Sequence, residues 1–206
     1  MKYSFKSSAK WSVFIFVVTY ILSCVFTVVS TTMLEGVGWG VGVLIVFMFV
    51  LIGVVFDMMG LAAASAQERP FHAMASKKVK GAKQSIYIIR NADRFSNFCN
   101  DVIGDVAGVI SGAASALVVL KLFSSAAGDS FQFTLFSVLF TGLVSAVTVG
   151  GKAIGKSFAI HYATEIVLTI GKLFYLLEVY FRIRLFNGRK AKSNGKRGHK
   201  RAAKPN

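Results

Sequence analysis

Four long apolar runs dominate this 206-residue sequence and restrict what it can fold into. The third run contains Asp105 and Lys121, and the other three contain no charged residue. Each run has about the 20 residues that an α-helix needs to cross a hydrocarbon core of about 30 Å. The sequence therefore predicts an all-α integral membrane protein with about four transmembrane helices plus juxtamembrane amphipathic helices. The predicted spans are Trp11–Met33, Trp39–Phe56, Val102–Phe123 and Phe131–Val149.

The first run begins like a secretory signal peptide, because three lysines precede it. Its apolar part does not stop at Cys24 but continues to Leu34, which gives 24 uncharged residues from Trp11. Cleaved signals have shorter apolar regions than this. We therefore expect an uncleaved first span.

Basic residues are concentrated outside these runs, and the net charge is +15. They form three blocks: the N-terminal lysines, the segment 67–100, and the tail 182–206, which has ten basic residues and no acidic one. The turns around Glu35 and Asp129 contain no lysine or arginine. Four crossings place all three blocks on one side, which the positive-inside rule assigns to the cytoplasm. We predict a multi-pass protein of the cell membrane with cytoplasmic N- and C-termini, which contacts anionic lipids and not nucleic acid.

Two segments outside the spans have the pattern of amphipathic helices. Ala82–Phe95 has three isoleucines, at 86, 88 and 89, with basic residues at 83, 90 and 94, and predicts a short helix on the membrane surface. Pro70 is expected to break the helix that leaves the second span. Glu165–Phe181 predicts a second interfacial helix. The alternative, a fifth span, would place the basic tail outside the cell. The tail has no apolar periodicity and is predicted to be disordered.

The third span has a glycine every four residues, at Gly104, Gly108 and Gly112. Small residues at this spacing let another helix approach closely, so we assign these glycines to helix packing. The same span begins with two carboxylates one helical turn apart, Asp101 and Asp105.

Asp105 should lie within the membrane boundary, where a carboxylate is costly unless it is paired, hydrated or bound to a cation. Asp57 closes the second span at a similar depth. Hard oxygen ligands of this kind suit Mg²⁺. An alternative for Asp57 and Asp101 is a capping role in contact with water. The candidate metal ligands are Asp105, Asp101, Asp57, Asn100 and Ser65.

The end of the fourth span is rich in glycine, with Gly150, Gly151 and Gly155 close together. This density predicts a broken helix, whose exposed backbone carbonyls would help to coordinate a cation. The phosphate-binding spacing GxxxxGK[ST] is absent. No nucleophile–base pair or His/Cys metal cluster occurs, and the two cysteines give no disulfide framework. We therefore expect no enzymatic activity and no cofactor, with Mg²⁺ only as a transported ion.

Several short elements occur in the order found in the CNNM/CorB/CorC magnesium transporters. They are Phe56–Ala62, Lys80–Lys83, Asn91–Phe95, Ile103–Asp105 and Gly151–Lys156. From about Val41 to Leu177, the sequence resembles the membrane module of that family. The resemblance implies divalent cation (Mg²⁺/Co²⁺) transport, three core spans, juxtamembrane helices and a homodimer. We therefore divide the chain into three regions: a segment 1–36 with an accessory transmembrane helix, the CNNM/CorB-like module 37–181 with its juxtamembrane helices, and the basic tail 182–206.

Two departures from the family pattern concern charge. Asp105 stands where the family has asparagine, and Lys152 stands where it has a glutamate that helps to bind the ion. We hypothesise that Lys152 occupies the cation position and pairs with Asp105, as a charge substitute or a gate. The CBS domains that usually follow in the family have no counterpart here, so a separate cytoplasmic regulatory chain is a further expectation. The alternative function is a non-transporting scaffold or regulator that binds a partner through the glycine face.

Overall fold

The structure is a computed structural model that describes residues 5–124 and 130–181. Within these two ranges the chain is helical and contains no strand, which confirms the all-α prediction. The helices are α1 (Phe5–Glu35), α2 (Trp39–Ser65), α3 (Glu68–Ser76), α4 (Ala82–Arg90), α5 (Ala92–Asn97), a π-helical segment (Phe98–Gly104), α6 (Asp105–Ser124), α7 (Ser130–His161) and α8 (Ala163–Phe181).

Among the described residues, four helical stretches are long and apolar enough to cross a membrane, which fits a multi-pass membrane protein. They are Trp11–Glu35, Trp39–Ser65, Ala92–Phe123 and Phe131–His161. Each contains one of the predicted spans. Helix α8 is not among them, because Glu165, Lys172 and Glu178 interrupt its apolar residues. The predicted disordered tail lies outside the described residues.

The predicted break near the end of the fourth span is wrong. Helix α7 runs without interruption through Gly150, Gly151 and Gly155. Two of these glycines pack against α2: a Cβ added at Gly151 would lie 3.1 Å from Val54, and one at Gly155 would lie 3.4 Å from the same side chain. Close packing therefore explains the glycines. Their backbone carbonyls belong to a continuous helix and are not freed for a cation.

Pro70 does not break the helix that leaves the second span, contrary to the prediction from the sequence. Helix α2 ends at Ser65, and α3 begins three residues later at Glu68. Pro70 lies in the first turn of α3, where the missing N–H would have no partner within the helix. The break between the helices therefore precedes the proline.

Helix α2 lies at the centre of the bundle, against α6, α7 and the π-helical segment. One core cluster joins residues of α2, α6 and α7: Val46, Val50, Ala114, Val118 and Val144. Helix α1 packs mainly on α6. Its C-terminal end is capped by Lys121 of α6, whose Nζ donates to the carbonyls of Leu34, Glu35 and Val37, the last at 3.2 Å. These carbonyls are the hydrogen-bond partners of Lys121, a charged residue within the third span.

Helices α3, α4 and α8 pack around the C-terminal end of α2, and we call these three helices the collar. Their shared core includes Phe71, Ile88 and Val167. The expected helix Ala82–Phe95 is divided at Asn91 into α4 and α5. Ionic contacts on the collar's surface join α3 to α4, because Glu68 accepts from His72 at 2.8 Å and from Arg90 at 2.6 Å. These two hydrogen bonds hold the pKa of Glu68 below its ordinary value of 4.5.

Candidate cation site

The third span begins with an irregular stretch of helix. The π-helical segment Phe98–Gly104 inserts between α5 and α6 and packs on α2, with Cys99, Val102 and Gly104 buried. Short π-helical turns of this type occur inside α-helices and are frequent at functional sites. The segment carries Asn100 and Asp101, and Asp105 follows it directly.

Glycines make room for polar side chains where α2 meets this segment. A Cβ at Gly60 would lie 2.0 Å from Asn100 Oδ1, so no other residue fits there without moving the amide. A Cβ at Gly104 would lie 3.7 Å from Asp57 Oδ1 and 3.6 Å from the carbonyl oxygen of Gly53. The contact therefore places oxygen atoms from α2 and from the π-helical segment in a tightly packed region.

Two oxygen acceptors in this contact are buried and have no hydrogen-bond partner among the described residues: Asp57 Oδ2 and Asn100 Oδ1. The side-chain nitrogen of Asn100 is used, since it donates to Ser96 Oγ at 3.3 Å. A buried acceptor without a partner costs on the order of 1–3 kcal/mol. A cation that binds oxygen ligands, such as Mg²⁺, would pair with both of these acceptors.

Two lysines one turn apart on α7 approach carboxylates on two other helices. Lys156 Nζ lies 3.7 Å from Asp57 Oδ2, which is close enough for an ion pair but too far for a hydrogen bond. Lys152 Nζ lies 3.3 Å from Asp105 Oδ1. The expected proximity of Lys152 and Asp105 is therefore present. The side chain of Asp105 is 68% exposed, whereas that of Lys152 is 21% exposed.

The Lys152–Asp105 pair lies at a cavity of about 450 Å³ between α6 and α7. Small and hydroxyl-bearing side chains contribute to its lining, including Ser111, Ser145 and Thr148. Gly108 and Gly112 also line it, and a Cβ added at either glycine would meet nothing within 4 Å. Of the three glycines assigned to helix packing, Gly104 is the one at which an added Cβ would contact α2.

The other predicted ligands do not join this contact. Asp101 is exposed on the π-helical segment, and Ser65 is exposed at the end of α2. Asp105 contacts Lys152. Across residues 5–124 and 130–181, no group of three His, Cys, Asp or Glu side chains is placed to hold a metal ion. The predicted ligands with a buried oxygen that accepts no hydrogen bond from the described residues are thus Asp57 and Asn100.

Lys156 was not singled out from the sequence as a partner of Asp57. The signal that could have found it is its position one turn beyond Lys152, because residues four apart on a helix share a face. The role of Gly60 in accommodating Asn100 had no sequence signal, since it depends on how α2 and the π-helical segment pack.

Comparison with known proteins identifies no family for this chain. No protein-family model matches the chain, and neither a curated protein nor a solved structure matches it. The resemblance to the CNNM/CorB/CorC transporters therefore stays a prediction made from short sequence elements.

Proposed function

We propose that this chain is a multi-pass membrane protein of the cell membrane that takes part in divalent-cation transport, with Mg²⁺ or Co²⁺ as the ion. Both termini lie in the cytoplasm, as the positive-inside rule requires. The observation that carries the proposal is that two oxygens where α2 meets the π-helical segment, Asp57 Oδ2 and Asn100 Oδ1, are buried and accept no hydrogen bond from the described residues. A carboxylate and an amide oxygen are ligands that Mg²⁺ accepts, together with retained water.

The α7 lysines set the conditions under which a cation binds. Two unit charges about 4 Å apart attract by about 4 kcal/mol at an effective dielectric of 20, so Lys156 competes with a cation for Asp57. Its side chain is 55% exposed and can move away from the carboxylate into solvent or toward lipid headgroups. Lys152 acts in the same way on Asp105 at the cavity between α6 and α7. While it is paired with the carboxylate, each lysine takes the place of a cation. When it moves away, the carboxylate becomes available to a cation, so the lysine acts as a gate.

Thermal stabilisation of the purified protein by Mg²⁺ tests the site. A ligand that binds only the folded state raises stability by RT ln(1 + [L]/Kd), so Mg²⁺ at about 100 times Kd adds about 2.7 kcal/mol. We expect Mg²⁺ to raise the melting temperature of the wild type and Asp57→Asn to remove that shift. Asp93→Asn, which changes an exposed carboxylate on α5, is the matched control and should keep it. An equal shift in the wild type and Asp57→Asn would exclude the site.

One observation favours the scaffold alternative. Gly108 and Gly112 face open space along the cavity between α6 and α7, which leaves a small-residue surface for a helix of a second copy or another membrane protein. Under this reading Gly108→Leu, but not Gly142→Leu on an open face of α7, shifts the protein from dimer to monomer in crosslinking experiments. Mg²⁺ has no effect on stability in that case. A dimer that survives Gly108→Leu contradicts the scaffold reading.

A further inference from the structure

Three lysines line one cavity at the turn between α3 and α4. Lys78, Lys80 and Lys83 contribute to a cavity of about 400 Å³, together with Ser76, Gln84 and Tyr175. All three lysines are exposed, and none forms an ion pair with another residue of the described chain. No acidic side chain among the described residues lines the cavity. Glu178 of α8 is near this lining, because it accepts a hydrogen bond from Gln84 at 2.6 Å.

The turn that carries these lysines has a fixed and unusual backbone. Lys78 has φ 57°, in the left-handed region that residues other than glycine rarely adopt. Gly81 has φ 86° and lies against α8, where a Cβ would stand 2.5 Å from the backbone nitrogen of Lys172. Helix α8 therefore holds the turn in place. Sparsely populated backbone conformations persist where the surroundings enforce them and are concentrated at binding sites.

Charge determines what the cavity can accept. Three lysines line the cavity, and no described acidic side chain is in that lining. Their ammonium groups repel one another, and an anion relieves that repulsion. Lysine binds phosphate as a point charge with three donors. The Tyr175 side chain lies in the same lining and carries a further hydroxyl. A group with two negative charges matches this surface better than a single carboxylate does.

We propose that this cavity is a binding site for a phosphate monoester group, carried by a lipid headgroup or present as a free phosphate ion. Lys78, Lys80 and Lys83 hold the phosphate oxygens, and Gly81 holds the turn in the required shape. The site lies on the collar and does not depend on cation binding between α2 and the π-helical segment.

The test uses a triple variant that carries Lys78→Gln, Lys80→Gln and Lys83→Gln. It is compared with a matched control. Lys77→Gln removes a charge from the same turn, but its side chain does not line the cavity. The full chain is reconstituted in nanodiscs of phosphatidylcholine with phosphatidic acid, and native mass spectrometry counts the phosphatidic acid molecules retained. In a second arm, equilibrium dialysis measures binding of radiolabelled inorganic phosphate to the protein in phosphatidylcholine alone.

We expect the triple variant to lose binding by about tenfold or more in at least one arm, while Lys77→Gln changes it by less than about twofold. Loss confined to phosphatidic acid identifies the lipid headgroup, and loss in dialysis identifies the free ion. A charge-retaining variant, Lys80→Arg, should keep binding. The proposal is overturned if the wild type binds in neither arm, if the triple variant binds as the wild type does, or if Lys77→Gln loses as much.

Discussion

Lys152 and Lys156 show how far single residues could be interpreted from the sequence. Asp105 and Lys152 stand at positions where the resembled family has an asparagine and a glutamate, and opposite charges at such positions predict a pair. The second pair depends on how α7 is rotated against α2, because Lys156 reaches Asp57 only when Gly151 and Gly155 face Val54. The rotation of α7 against α2 could not be predicted from the order of residues in the sequence.

Replacing Lys152 by glutamate should convert the paired position into a second carboxylate beside Asp105. The ammonium now lies 3.3 Å from Asp105 Oδ1, so Lys152→Glu exchanges an internal cation for an oxygen ligand. We expect Mg²⁺ flux into proteoliposomes to rise by about tenfold relative to the wild type, which corresponds to about 1.4 kcal/mol. Lys152→Gln, which removes the charge without adding a carboxylate, should give a smaller increase. Equal flux in all three proteins would contradict the assigned role of Lys152.

At the scale of elements, the positions of the long helices could be predicted from the sequence. The π-helical segment and the continuity of α7 could not. Hydrophobic runs and charge interruptions locate α1, α2, α6 and α7, because a membrane-spanning helix must satisfy its backbone internally over a fixed length. The π-helical segment was missed because one inserted residue hardly changes a pattern of apolar residues. The break expected in α7 was wrong because a helical glycine costs about 1 kcal/mol relative to alanine, and packing against α2 offsets that cost.

Helix α8 approaches the N-terminal end of α4 most closely at Gly171. A Cβ added at Gly171 would lie 2.2 Å from Ser85 Oγ and 2.5 Å from the carbonyl oxygen of Gly81. Ser85 Oγ is itself in hydrogen-bond contact with the carbonyls of Gly81 and Val167, each at 3.0 Å. Gly171→Ala should therefore separate the two helices and lower the stability of the collar by about 1–3 kcal/mol, the usual cost of overpacking.

Thermal melting in detergent measures this effect, and Gly142→Ala is its control. A Cβ at Gly142 meets nothing within 4 Å, so the control should be neutral or stabilising by about 0.5–1 kcal/mol, as for glycine to alanine in an open helix. A melting temperature unchanged by Gly171→Ala would mean that α8 does not depend on this contact.

At the scale of the whole molecule, the sequence predicts the number of spans and their direction for different reasons. Length and hydropathy give four candidate spans, and the part of the chain that the structure describes contains four helices of that kind. Direction is predicted from the distribution of lysine and arginine between the two sides of the membrane, which acts during insertion. The arrangement of α2 at the centre could not be predicted, because it depends on side-chain packing among helices that are all apolar.

Cysteine labelling tests the direction of the chain. In a background with Cys24 and Cys99 replaced by serine, one variant carries Gly36→Cys in the turn between α1 and α2, and another carries Lys77→Cys after α3. We expect a membrane-impermeant maleimide to label Gly36→Cys in intact cells and Lys77→Cys only after permeabilisation. Both positions are exposed in the folded chain, so each controls for the other's reactivity. The opposite pattern would reverse the topology.

The bonds from Lys121 to the end of α1 have a consequence for the order in which the protein is made. Leu34 leaves the ribosome 87 residues before Lys121 does, so the carbonyls at the end of α1 are without this cap while α2 and the collar's first two helices are being synthesised. During that interval water must satisfy these carbonyls, which keeps the α1–α2 turn at the bilayer surface. The end of α1, the first helix to be made, is thus capped only after α6 has been synthesised and brings Lys121 to it.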